Sequence, residues 1–186
     1  MFVDTNVLVM ARFVTAPFHY RARNNMNHHD ETGESLRISR QVIREYLSTV
    51  TREQLWANPL AIEDALKDVE QMAIAFGILE DGPRVMEVFS DLCRAVPVQG
   101  KKVHDANIAV TMLFHGEKRL LTFNVRDFRR YGQRIELIDA GARTVLYRIP
   151  KSMVKVCSVP GAAPPGSREE LHLPRFRGQE ADSDVH

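Results

Sequence analysis

The chain opens on an unbroken apolar run, Met1-Phe2-Val3, which the acid Asp4 closes. An apolar run without polar alternation predicts a short strand covered on both faces, as in a parallel sheet. A helix is expected from Thr5 or Asn6. Pro17 begins a polar stretch, Phe18 to Gly33, compatible with a helix or with irregular structure. Ser35-Leu36-Arg37-Ile38 reads as a second strand. Ser39 suits the N-cap of the next helix, whose apolar stripe is Val42, Ile43, Tyr46, Leu47 and Val50. Asn58-Pro59 breaks the chain before another helix, with Ala61, Ala65, Leu66, Val69, Met72, Ala73 and Phe76 on one face. Asp81-Gly82-Pro83 punctuates again, and a helix through Val85, Val88, Phe89 and Leu92 follows. Ala95-Val96-Pro97-Val98 reads as a strand or an extended link. His104 to Phe114 predicts a helix that His115-Gly116 ends. Arg119 to Phe123 predicts a strand, Val125 to Tyr131 a short helix, and Ile135 to Ile138 a last strand.

Strands alternating with helices imply an α/β fold: three α/β/α layers around a central, mainly parallel sheet. Crossovers should be right-handed, and a site should form outside the carboxyl ends of the strands. Residues 1–149 are expected to make this domain. From residue 150 the composition changes. Pro160-Gly161-Ala162-Ala163-Pro164-Pro165-Gly166-Ser167 is linker-like, and 150–186 reads as a Pro/Gly-containing, largely disordered tail. Within it, Leu171-His172-Leu173-Pro174-Arg175-Phe176 is apolar enough to dock on the domain or on a partner.

Composition changes this picture little. The 186 residues suffice for one domain with a substantial core, and 44% hydrophobic and 26% charged residues are ordinary for a globular chain. The net charge of +1 excludes a strong global pull on nucleic acid. The charge is uneven, however. Residues 53–91 are acid-rich, whereas 101–148 carry Lys101, Lys102, Lys118, Arg119, Arg126, Arg129, Arg130, Arg134, Arg143 and Arg148. A local basic patch of this kind can hold a phosphate backbone. Cys93 and Cys157 make no disulfide framework, and Cys93 falls on an apolar helical stripe. No signal-peptide pattern and no membrane-spanning segment are evident, so the cytoplasm is expected.

Four acids beside apolar segments carry the candidate chemistry: Asp4, Glu45, Asp105 and Asp127. Each has an ordinary alternative. Asp4 could cap the helix after it. Glu45 sits at the edge of its stripe and could be solvated. Asp105 in a first helical turn complements the helix dipole, although it shares the face of Ile108 and Ala109. Asp127 could complete a capping box with Asn124. Together they place carboxylates at strand ends and helix starts. Such a cluster repels itself unless a cation neutralises it, and hard divalent ions choose oxygen ligands.

Four segments resemble the PIN domain, specifically toxins of the VapC type. They are Phe2-Val3-Asp4-Thr5-Asn6, Ser39-Arg40-Gln41-Val42-Ile43-Arg44-Glu45-Tyr46, His104-Asp105-Ala106-Asn107-Ile108-Ala109 and Leu121-Thr122-Phe123-Asn124-Val125-Arg126-Asp127-Phe128. The order and intervals fit along roughly residues 1–140, and each motif is loose by itself. The long tail and the polar segment around 19–34 depart from the family pattern. The resemblance implies a PIN-like fold and a metal-dependent endoribonuclease cutting single-stranded RNA. It puts Asp4, Glu45, Asp105 and Asp127 at the positions of the family's acidic quartet. Asp4, Asp105 and Asp127 would ligate Mg²⁺ or Mn²⁺, and Glu45 would ligate or orient the nucleophile. Asn6 and Thr122 would support the acids, Asn124 would serve substrate or support, and Arg126 would hold phosphate with Arg129, Arg130, Lys101 and Lys102. It implies a cognate antitoxin, whose peptide wraps the toxin and can place a basic side chain near the acids, and a homodimer through the helices.

Two other classes compete. A non-catalytic RNA- or protein-binding module with this fold would use the acids as caps and surface charges. A receiver-like domain would use Asp4 as phosphate acceptor, but its second acid, its lysine and a phosphate-cradling glycine loop are not evident. DNA as substrate stays open. His28-His29-Asp30 lacks the spaced partners of a zinc site.

Overall fold

Phe2 and Val3 are fully buried, as their unbroken apolar run requires. They form β1 (Phe2–Val3), the middle strand of a five-stranded sheet. The structure is a computed structural model that describes residues 1–142. The expected boundary at 149 and the tail over 150–186, with Leu171–Phe176, lie outside the described residues.

In chain order the elements after β1 are α1 (Thr5–Arg12), α2 (His19–Glu31), β2 (Arg37–Ser39), α3 (Arg40–Val50), α4 (Ile62–Ala75) and β3 (Gly77–Leu79). There follow α5 (Pro83–Ala95), α6 (Lys102–Phe114), β4 (Arg119–Thr122), α7 (Val125–Phe128), a 3₁₀ turn (Arg129–Tyr131) and β5 (Glu136–Asp139). All strands pair in parallel, in the order β3-β2-β1-β4-β5. The chain thus builds outward from β1 to β3, then returns to build outward from β4 to β5. With right-handed crossovers the two halves of the helix set must cover opposite faces. Accordingly α1 packs on α2 and α3, and α3 on α4, whereas α6 packs on α5 and α7. This is the three-layer α/β/α arrangement expected from the alternation of strands and helices.

Strand order reverses between β1 and β4. At such a switch point the loops leaving two adjacent parallel strands part to opposite faces and open a crevice at the strands' carboxyl ends. Asp4 leaves β1 at that point, and Asn124 leaves β4.

Several local readings change. The polar stretch after Pro17 is a helix, α2, because it packs on α1 and buries His19, Ala22 and Asn25. β3 was not anticipated. It has three residues, starts with a glycine, and owes its existence to pairing with β2 through Arg37↔Gly77, Ile38↔Ile78 and Ser39↔Leu79. Ala95–Val98 forms no strand; Val96 ends α5 in an extended conformation. Ser39 does cap α3, its hydroxyl accepting from the Val42 amide at 3.4 Å. Asn124 makes no side-chain cap to α7, so the capping-box reading of Asn124 and Asp127 fails.

The expected stripe of α4 also needs correction. Ala65 and Met72 are buried, but Leu66 is 47% exposed, and Asp68 lies inside instead. Asp68 Oδ2 accepts from the Tyr46 hydroxyl at 2.7 Å and from Arg12 Nε at 2.6 Å. It thereby ties α4 to α3 and α1. A paired buried carboxylate is costly to remove because its cation and hydroxyl lose their partner. Asp68→Ala is therefore expected to cost about 3–5 kcal/mol in urea unfolding; a loss under about 1 kcal/mol would mean the triad is immaterial to stability.

Candidate active site

The crevice at the switch point is a cleft of about 980 Å³. Asp4, Glu45 and Asp105 line it, together with Thr5, Asn6, Gln41, Asn107 and Asn124. The four proposed acids come from four elements: Asp4 at the end of β1, Glu45 on α3, Asp105 in the first turn of α6, and Asp127 on α7.

Asp4 is 5% exposed and does not use its side chain to cap α1. Its Oδ2 instead accepts from Thr122 Oγ1 at 2.5 Å and from Asn6 Nδ2 at 2.7 Å. Asn6 in turn accepts the Phe123 amide at 3.1 Å, and Thr122 Oγ1 accepts the Asn124 amide at 2.9 Å. The ends of β1 and β4 are therefore locked around one carboxylate. That carboxylate is pushed up to a pKa of about 6, from an ordinary 3.8. Burial is the main cause; the charges of Glu45 and Asp105 add to it, while the Thr122 bond and the Thr5 amide oppose it.

Asp105 is half-buried. Its pKa is also raised, first by burial and then by the charges of Asp127 and Glu45, with Arg130 and His104 opposing. Asp4, Glu45 and Asp105 thus form one mutually repelling group. Asp127 acts on Asp105, but it is not among the residues that line the cleft.

Glu45 is held by two residues that sequence reasoning left unassigned. Thr5 Oγ1 donates to Oε2 at 2.9 Å, and Gln41 Nε2 donates to Oε1 at 2.6 Å. Gln41 also donates to the His104 carbonyl at 3.0 Å and accepts from Asn107 Nδ2, which links α3 to α6 across the cleft. The signal was available: Gln41 stands one helical turn before Glu45, on the same face. His104 Nδ1 approaches Glu45 Oε1 at 3.6 Å and is largely exposed.

The basic candidates separate. Lys101 lines the cleft, whereas Lys102, Arg126 and Arg129 are exposed and are not among its lining residues. Arg130 donates to the Asp127 carbonyl at 3.0 Å and to the Pro97 carbonyl at 3.1 Å. His29 is paired with Glu34 at 3.0 Å.

The donor set suits a hard divalent cation. It consists of carboxylate oxygens, one of them buried, whose mutual repulsion a cation would relieve. No three His, Cys, Asp or Glu side chains among the described residues are grouped closely enough to hold an ion by themselves. Mg²⁺ keeps several waters and needs only one or two direct carboxylates, so convergence of this looser kind fits it.

The sequence profile described as PIN domain matches residues 1–133. Ribonuclease VapC48 of Mycobacterium tuberculosis is 28% identical over 130 residues, covering 69% of this chain and 89% of that protein. Among solved structures, VapBC2 from Rickettsia felis bound to a promoter DNA fragment superposes with a TM-score of 0.55 at 19% identity. That match covers 74% of this chain and 98% of the other. DNA-bound VapBC from Salmonella typhimurium gives 0.51 at 23% identity, over 75% and 96%. At these identities the structures establish the shared fold.

Proposed function

The chain belongs to the PIN domain family, and on that footing we propose that it is a divalent-cation-dependent endoribonuclease that cuts single-stranded RNA as the toxin of a toxin–antitoxin pair. Its relation to Ribonuclease VapC48 supports the reaction, and the VapBC complexes among its structural relatives support the pairing with an antitoxin. The observation that carries the reading is the buried Asp4 carboxyl at the switch point, its pKa raised beside Glu45 and Asp105. A carboxyl perturbed by burial and by specific charged neighbours in a cleft is a functional-site candidate.

Asp4 and Asp105 would hold a Mg²⁺ or Mn²⁺ ion, with Asp127 reaching it directly or through water. When bound, the ion supplies a water of lowered pKa and neutralises charge on the phosphate. Thr122 and Asn6 keep Asp4 aimed, and the Thr122 hydroxyl favours its ionised form. Thr5 and Gln41 fix both oxygens of Glu45, leaving that carboxylate placed to orient the attacking water. Lys101 meets phosphate at the rim. An antitoxin segment carrying a basic side chain would satisfy the same acids and block them.

The direct test incubates the purified chain with single-stranded and duplex RNA, in Mn²⁺ or in EDTA. Cleavage of the single strand with Mn²⁺ alone is the expected outcome; equal cleavage in EDTA contradicts the reading. No cleavage by a folded, cation-loaded chain would favour a binding module instead.

Thr122 gives a narrower prediction. Its hydroxyl lowers the pKa of Asp4. Thr122→Val should move the Asp4 titration in the metal-free chain, followed by NMR of the carboxyl carbon, to a midpoint above that of the parent. A midpoint at or below the parent's would show that the hydroxyl does not favour the ionised carboxylate.

A further inference from the structure

The cleft does not end at the acids. Gln41, Glu45, Ser48 and Thr49 follow one another at helical spacing on α3 and line it, as does Arg52 just past the helix end. Glu45 to Thr49 spans about 6 Å of helix axis, and Arg52 and Trp56 lie beyond, also on the wall. The segment that carries them is braced. Gln54 Nε2 donates to the Thr49 carbonyl at 3.0 Å, and Gln54 and Ala57 exchange both backbone bonds at 3.2 and 3.4 Å. The Leu60 amide returns to the Val50 carbonyl at 2.8 Å. Trp56 rests edge-on against Phe13, ring centres 5.4 Å apart at 69°. Arg52 is exposed and enters no ion pair among the described residues.

A polyanion is repelled by the acidic floor of this cleft, so its affinity must come from cations along the walls. Arg52 is such a cation, and a rigid aromatic ring lines the same wall. That pairing is how single strands are held without sequence readout: a positive group on the backbone and a ring face on a base. A guanidinium also matches phosphate with two parallel donors.

We propose that Arg52 and Trp56 form a subsite for a nucleotide flanking the scissile phosphate of the substrate strand, its base against Trp56 and its phosphate on Arg52. The proposal rests on the ribonuclease reading and extends it to a second contact point, about a helical turn or more from the acids. It makes binding depend on strand length. A substrate too short to span from Asp4 to Trp56 loses this contact.

Trp56 is the one tryptophan in the chain, so intrinsic fluorescence reports on it alone. The full chain carrying Asp105→Asn is titrated with a short single-stranded RNA in Mg²⁺, and binding is read in parallel by anisotropy of labelled RNA. Quenching that saturates together with the anisotropy is expected. Arg52→Gln should weaken binding and lower the slope of log affinity against log salt by about one. Trp56→Leu should weaken it roughly 5- to 150-fold, the range for a stacked base. Trp56→Leu disturbs the Phe13 contact, so the exposed Arg52 provides the arm free of folding effects. RNA that binds with parent affinity to both variants and leaves the fluorescence unchanged overturns the subsite while the nuclease reading stands; that end of the cleft would then face a protein partner. A parent chain that neither binds nor cuts RNA removes both.

Discussion

Asp105→Asn is expected to lower RNA cleavage by roughly 10²–10³-fold, the scale seen when one preorganised electrostatic contact in an active site is lost, and to leave the folded chain no less stable. The two effects share one cause. Asp105 lies among Asp127, Glu45 and Asp4 with its pKa raised, so without a cation its charge is a strain on the fold. Asparagine keeps the size and polarity and deletes that charge. A side chain present for structure would behave in the opposite way, with stability falling and activity following it down. The check is cleavage rate together with the thermal midpoint of the metal-free protein at neutral pH. A variant that cuts as fast as the parent removes Asp105 from the site. A variant that is both inactive and markedly less stable makes it a structural residue.

The metal-free chain is expected to lose stability as pH rises from about 4 to about 6, and a divalent cation should restore it. Asp4 is the reason. Its pKa is about 6 in the folded chain against an ordinary 3.8. Below the lower value both states carry the proton, and Asp4 contributes no pH dependence. Between the two values the unfolded chain releases the proton while the folded one retains it, so unfolding gains. Above about 6 both are ionised and the full penalty stands, on the order of 3 kcal/mol at about 1.4 kcal/mol per pH unit. Other groups titrate as well, so the quantity to measure is the difference between the parent and Asp4→Asn, by urea unfolding from pH 4 to pH 8. The variant should gain on the parent through that window and stay ahead above it. At neutral pH, cation at a hundred times its dissociation constant should add about 2.7 kcal/mol to the parent and little to the variant. Parallel curves for the two proteins, with and without cation, would leave Asp4 an ordinary buried carboxyl.

The order of strands and helices was legible in the sequence wherever an apolar stripe repeated over two turns or more, as in α3 and α5. It failed where an element exists only through its partner. β3 is three residues long and is a strand because β2 lies beside it. α2 is polar almost throughout and is a helix because α1 offers a surface it packs on, with His19 beside the Met10 carbonyl, while Asn25 bonds the Ala140 carbonyl. Asp4 and Asp105 stood out in the sequence because one closes an apolar strand and the other opens an apolar helix; Glu45 lies mid-helix and Asp127 lies off the cleft lining, so the same pattern does not place them. What surrounds the acids was less legible. Thr5 is a common residue type whose role appears only once α1 and α3 stand together, and the spacing that pairs Gln41 with Glu45 says nothing of its bond to α6. Asp68 looked like one more charge on an acidic helix, since nothing in the sequence says that Tyr46 and Arg12 will reach it. Asn124 matched a capping pattern by spacing, yet its amide is engaged by Thr122, and the side chain does not cap.

Manganese binding to the metal-free chain, measured by calorimetry at pH 7 on the parent and on a variant carrying both Asp4→Asn and Asp105→Asn, tests the gathering of these carboxylates most directly. The parent should bind saturably, more weakly at pH 5 where protons compete for the same oxygens, and the double variant should show no such binding. Equal binding by the two proteins would contradict the account.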